Sequence, residues 1–175
     1  MILKFFLYFF IWLIPSFTLA EPWQINDDEN YITLKKNGEI QHGNKIHFNF
    51  NKKNGCKFNV FFFVYTMQNN PLPLSEIFEN QDINLNFGGK EILASVAFTS
   101  FFGLGEIAGI YIAQDVALSE NFLKINDDML KNNMMNMNIN KYYSDYFDIP
   151  MERWDFTNFR ENIYTAHNLC VASQL

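Results

Sequence analysis

The chain has 175 residues, a formal net charge of −6 and 49% hydrophobic residues, and 18% of its residues are aromatic. This composition provides enough apolar surface for a packed core and excludes a chain that is disordered throughout. The acidic balance, with Arg153 and Arg160 as the two arginines, excludes nucleic-acid binding, because phosphate backbones are bound by clustered Lys and Arg side chains.

The first twenty residues have the order of features of a secretory signal peptide. Lys4 provides the positive start, residues 5–14 form an unbroken apolar run, and Pro15 ends that run. Thr18 and Ala20 are small residues at the positions that signal peptidase reads. We therefore predict a signal peptide over residues 1–20 and a single globular domain over residues 21–175, exported to the periplasm or secreted.

The N-terminal half of the predicted domain has the signals of antiparallel strands joined by turns. Residues 31–34 are β-prone, the Asn-Gly pair at 37–38 is a hairpin signal, and apolar residues alternate with polar ones over 46–50 and 83–87. Residues 58–67 are apolar on both alternating faces. This pattern predicts a central strand that is buried between two layers.

The least polar stretch, residues 92–113, has two interpretations. It carries one charged residue, Glu106, and its glycines 105 and 109 have the small-xxx-small spacing of packed membrane helices. A membrane span would place that carboxylate in hydrocarbon, which costs several kcal/mol. We therefore predict two strands, over about residues 92–102 and 107–113, and keep a membrane-associated envelope component as an alternative.

The C-terminal third is predicted to contain two helices. Ser119 can cap a helix over residues 120–131, and residues 132–140 read as a loop or a fraying helix end. Apolar residues then recur at helical spacing after Asp155, which can cap the last helix. The predicted fold is therefore α+β, mainly antiparallel β in a sandwich-like or curved sheet, closed by an amphipathic C-terminal helix.

The two cysteines, Cys56 and Cys170, predict a disulfide, because an even pair in a small exported domain is oxidised there. The alternative is an envelope hydrolase that uses His167 with the Cys170 thiol or with a carboxylate. His42 and His47 are the other histidines, and we interpret all three as solvated or core-edge side chains rather than metal ligands. We expect no metal and no cofactor.

Aromatic and methionine side chains in polar segments form the predicted binding face. Aromatic residues anchor many protein contacts, and methionine adapts to irregular apolar partners. The sequence contains no catalytic signature of a serine hydrolase or of a phosphate-binding loop. The expected function is therefore a non-enzymatic domain that binds a protein or an apolar ligand. The candidate face consists of Tyr142, Tyr143, Tyr146, Trp154, Met134, Met135 and Met137.

Overall fold

The computed structural model describes residues 22–41, 44–67, 70–78 and 81–174. The predicted signal peptide lies outside these residues. Nine strands among them form one antiparallel sheet: β1 Gln24–Asp27, β2 Tyr31–Asn37, β3 Lys45–Asn51, β4 Phe58–Thr66, β5 Asp82–Phe87, β6 Lys90–Phe102, β7 Gly105–Val116, β8 Met134–Ile139 and β9 Met151–Asp155. The helices of the described residues are α1 Leu74–Phe78, α2 Glu120–Met129, α3 Lys141–Ser144 and α4 Phe159–Ala172. The α+β prediction with a curved sheet and a C-terminal helix is confirmed.

The sheet has the strand order β1-β2-β3-β4-β7-β6-β5-β8-β9, so neighbouring strands are consecutive in the chain except where β4 meets β7 and β5 meets β8. The predicted hairpin over residues 92–113 is confirmed as β6 and β7, the two longest strands described. A bulge between Val96 and Phe98 shifts the β6 register against β7. No helix among the described residues is long and apolar enough to cross a membrane.

The core lies on the inner face of the curved sheet, where alternate side chains of β2 to β9 meet. Strand β4 shows the pattern most clearly, because Phe58, Val60, Phe62 and Val64 are buried. Its other face, with Phe61 among its residues, is only half-buried. The prediction that this strand is buried between two layers is therefore wrong for its outer face.

The two ends of the sheet meet at a buried carboxylate. Glu152 of β9 accepts hydrogen bonds from the backbone N–H groups of Ile40 and Gln41, at 2.7 and 3.0 Å, and from Arg153 N–H at 2.9 Å. Gly38 lies so close to this carboxyl group that an added Cβ would stand 2.3 Å from its carbon. The β2–β3 turn and β9 are thereby held together, and the sheet curls around the core.

Helix α4 packs on β2 and β3 and is linked covalently to the turn between β3 and β4. Phe159 of α4 contacts the ring of Phe48, with centroids 5.0 Å apart. Near the other end of α4, the predicted disulfide between Cys56 and Cys170 is confirmed, and both residues are buried. Such a bond is typical of proteins outside the cytoplasm.

Two local predictions for the C-terminal third need correction. Residues 134–139 form strand β8 rather than a loop or a fraying helix end. Asp155 ends β9 instead of capping the last helix, and its carboxylate accepts from Thr157 N–H at 2.8 Å. The residue at the start of α4 is Asn158, which has a left-handed backbone and makes no side-chain cap. The predicted cap of α2 is correct, since Ser119 Oγ accepts from Phe122 N–H.

Candidate functional site

The structure divides the predicted binding face between the core and the surface. Trp154, Met135 and Met137 are fully buried and face the inner side of the sheet. Tyr142 is exposed, whereas Tyr143 and Tyr146 are partly buried against Phe78 of α1. The seven side chains therefore do not form one continuous surface. Met134, the remaining member, is half-buried at the start of β8.

An apolar cavity of about 210 Å³ lies between helix α2 and the inner face of the sheet, and it is partly open to solvent. Strands β3 to β7 provide its floor and α2 its roof. Asn126 is the one polar side chain among the described residues that line it, and its amide Nδ2 donates to Phe122 O at 3.1 Å. The full lining is Phe48, Val60, Phe87, Ile92, Ile112, Ala113, Val116, Phe122, Ile125, Asn126 and Met129.

Helix α2 forms the roof because one of its faces is apolar and carries Phe122, Leu123 and Met129 toward the sheet. The ring of Phe122 meets that of Phe58 edge-on, with centroids 5.0 Å apart. At the other end of the helix, Met129 lies against Gly88 in the β5–β6 turn, where an added Cβ would approach to 2.6 Å. The roof therefore rests on the sheet at both ends and spans the cavity between them.

A polar clasp on the surface, formed by Glu120 and Asp127 of α2 with Arg160 and Tyr164 of α4, joins the roof to the C-terminal helix. The Arg160 guanidinium donates to Glu120 at 3.0 Å and to Asp127 at 2.9 Å, and the Tyr164 hydroxyl donates to Glu120 at 2.5 Å. All of these groups are exposed to solvent, so they add little to global stability. Their position instead lets them hold α2 over the cavity.

The hydrogen bonds of the clasp shift the pKa values of Glu120 and Tyr164. The hydrogen bond from Tyr164 and those from Arg160 lower the pKa of the Glu120 carboxyl below its ordinary value. The same hydrogen bond raises the pKa of the Tyr164 hydroxyl above its ordinary value. Both shifts favour the ionised Glu120 and the protonated Tyr164, which are the forms that make this hydrogen bond.

His47 is the most strongly perturbed titratable residue of the described chain. It lies on the outer face of β3 between the rings of Phe61 and Phe63, with centroids 5.0 and 4.9 Å away. Burial lowers the pKa of His47 from 6.5 to about 4, and the positive charges of Lys35 and Lys45 add to this effect. The imidazole is therefore neutral at pH 7.

The other residues considered as catalytic groups or metal ligands do not come together in one site. His42 lies outside the described residues, and His167 contacts the ring of Phe50 at 6.0 Å. Cys170 is half of the disulfide, so the hydrolase alternative has no free thiol there. In the part of the chain that the structure describes, no group of three or more His, Cys, Asp or Glu side chains could hold a metal ion.

Sequence reasoning did not find the cavity. Its lining comes from five strands and one helix, and each apolar residue of the lining reads in the sequence as ordinary core. The nearest signal is the amphipathic pattern of α2, which predicts that one face is buried but not that a space remains beneath it. No protein-family model matches the chain, and comparisons with curated proteins and with solved structures also find no match.

Proposed function

We propose that this protein is a non-enzymatic domain that binds a small apolar ligand in the cavity beneath α2. The observation that carries the proposal is the combination of an apolar floor, an apolar roof and a single polar side chain, Asn126, in the lining. Concave apolar pockets with few polar groups are the usual form of small-molecule sites. The absence of a charged side chain from the described lining favours a neutral ligand or the apolar part of an amphiphile.

The size of the cavity limits the ligand. A cavity of about 150 Å³ lined by aliphatic and aromatic side chains accepts benzene. The present cavity, at about 210 Å³, is larger and suits a bicyclic aromatic compound or an acyl chain of roughly eight carbons. A carboxylate on such a chain would have to remain in solvent, because its burial without a partner is costly.

Binding is best tested by titrating naphthalene and octanoate into the purified protein, with glucose as the polar control. We expect saturable binding of the apolar probes with one site per chain, measured by calorimetry or by NMR shifts of the cavity residues. Substitution Ala113→Leu adds three carbon atoms to the lining and should weaken binding at least about tenfold, because it occupies space that the ligand needs.

Ala172→Leu provides the matched control. Ala172 is exposed at the end of α4, so the same change of side chain leaves the cavity as it is. The control variant should bind the probes like the native protein. Failure of the native protein to bind either probe, or equal affinity in the Ala113→Leu variant, would contradict the proposed site.

We also propose that the domain acts after export, in the periplasm or outside the cell. The disulfide and the signal-peptide pattern of residues 1–20 support this location independently. The intact mass of the protein from the exported fraction, measured without reductant, tests both the disulfide and the cleavage of the signal peptide. We expect the mass of residues 21–175 less two hydrogens, whereas a full-length mass would contradict cleavage.

A further inference from the structure

The β6–β7 hairpin ends in an exposed apolar turn, at the opposite end of the hairpin from the cavity. Leu104 is 94% exposed, Phe101 74% and Phe102 67%. We call these three residues the hydrophobic tip. Because neighbouring residues of a strand alternate between its faces, Phe101 and Phe102 leave the hairpin on opposite sides, and Leu104 stands at the turn itself. The tip is therefore apolar on both faces.

The hydrophobic tip projects from the sheet. The last residue of β4, Thr66, pairs with Glu106, so the hairpin continues past β4 by about two residues, or roughly 7 Å. Met67, which follows β4, and Leu72, which precedes α1, are also exposed at this end of the sheet. With the tip, they place five exposed apolar side chains at this end of the sheet.

The tip of the hairpin carries no charged side chain. Residues 92–105 contain no ionisable side chain. The first ionisable group after them, Glu106, is half-buried, and its carboxylate accepts from Leu74 N–H at 2.7 Å. A neutral stretch with two phenylalanines and a leucine at its apex has the chemistry of segments that enter the boundary between lipid headgroups and acyl chains.

We propose that the hydrophobic tip docks the domain reversibly on the surface of a neutral phospholipid bilayer. A soft bilayer accepts an apolar projection directly, whereas a protein partner would need a matching pocket and would gain no hydrogen bond from these side chains. A projection of roughly 7 Å agrees with the depth of about 5–10 Å at which interfacial segments lie. The net charge of −6 favours neutral lipid over anionic lipid, because anionic headgroups repel an acidic domain.

Docking of this kind is independent of the proposed ligand site. Ile92, at the start of β6, lines the cavity, and Phe102 ends the same strand about 30 Å away. Substitutions at the tip therefore leave the cavity lining unchanged. Loss of vesicle binding and loss of ligand binding are separable results, so one proposal can fail without the other.

The test is flotation of the disulfide-bonded protein with phosphatidylcholine vesicles, and in parallel with vesicles rich in phosphatidylglycerol. The tip variant combines Phe101→Ser, Phe102→Ser and Leu104→Ser, three residues that are mostly exposed. The control variant combines Leu169→Ser and Val171→Ser, two residues of α4 that are also exposed. We expect the native protein and the control variant to float with the neutral vesicles, and the tip variant to partition at least about 100-fold less.

A second measurement places the tip in the bilayer directly. A Leu104→Trp variant should shift its added fluorescence to the blue on neutral vesicles and be quenched by lipids brominated near the headgroup. Failure of the native protein to float, or equal flotation of the tip variant, would overturn the proposal. Concentration-dependent dimerisation that vesicles do not reverse and that the tip variant abolishes would also overturn it, and would make the tip a contact between two copies of the chain.

Discussion

Reduction of the Cys56–Cys170 disulfide should remove about 4–5 kcal/mol from the free energy of unfolding. The two cysteines are 114 residues apart, so the bond closes a loop that covers most of the described chain. In the chain-entropy model, a loop of this length restricts the unfolded chain by that amount. Because domains of this size are stable by only about 5–15 kcal/mol, the reduced protein should be marginally stable.

Urea unfolding of the native protein, with and without reductant, measures this loss. Reduction should also increase the dependence of stability on urea, because an unfolded chain without the cross-link exposes more surface. A Cys56→Ala and Cys170→Ala double variant should be less stable than the reduced protein, since it also loses two buried sulfur atoms. Reductant should leave the double variant unchanged. A loss below about 2 kcal/mol on reduction would refute the argument from loop length.

Three further predictions concern side chains described above. Glu152→Gln should lower the free energy of unfolding by about 2–3 kcal/mol, because the new amide NH₂ would face backbone N–H groups that now donate hydrogen bonds to the carboxylate. The control is the same substitution at an exposed position, Glu161→Gln. Equal stability of the two variants would contradict the role of Glu152. Because the folded state keeps His47 neutral, stability should fall by up to about 3 kcal/mol as the pH drops from 6.5 to about 4. His47→Phe should remove this part of the acid loss in thermal unfolding, and an unchanged pH profile would refute the assignment. Arg160→Gln should speed dissociation of naphthalene in stopped-flow experiments while the melting temperature stays nearly constant, and an unaltered rate would contradict the clasp.

Sequence patterns predicted the architecture where apolar periodicity and turn residues agreed. The hairpin over residues 92–113 is an example, because its glycines and its single carboxylate fit two strands better than one helix. Strand β8 was missed although its signal is present. Met135, Met137 and Ile139 alternate inward, but the intervening asparagines have low β-propensity and favoured a loop.

Trp154 was predicted to lie on the surface but is buried, and the physical reason is different. Its neighbours Glu152, Arg153 and Asp155 are charged, so the segment reads as exposed surface. Strand alternation instead turns both Glu152 and Trp154 inward. The carboxylate is tolerated there because backbone N–H groups at the other end of the sheet satisfy it, and no local pattern records a partner more than a hundred residues away.

The strand order has a consequence for how the chain acquires its fold. Strands β1 to β4 are paired in chain order, so they can associate as soon as they are available, but the free edge of β4 must wait for β7. Until β7 arrives, that edge presents unpaired backbone groups between aromatic side chains such as Phe61 and Phe63. Such an edge is a template for intermolecular pairing, and long-range pairing of this kind is slow. Pairing of β7 with β4 therefore removes a site at which newly made chains could associate with one another.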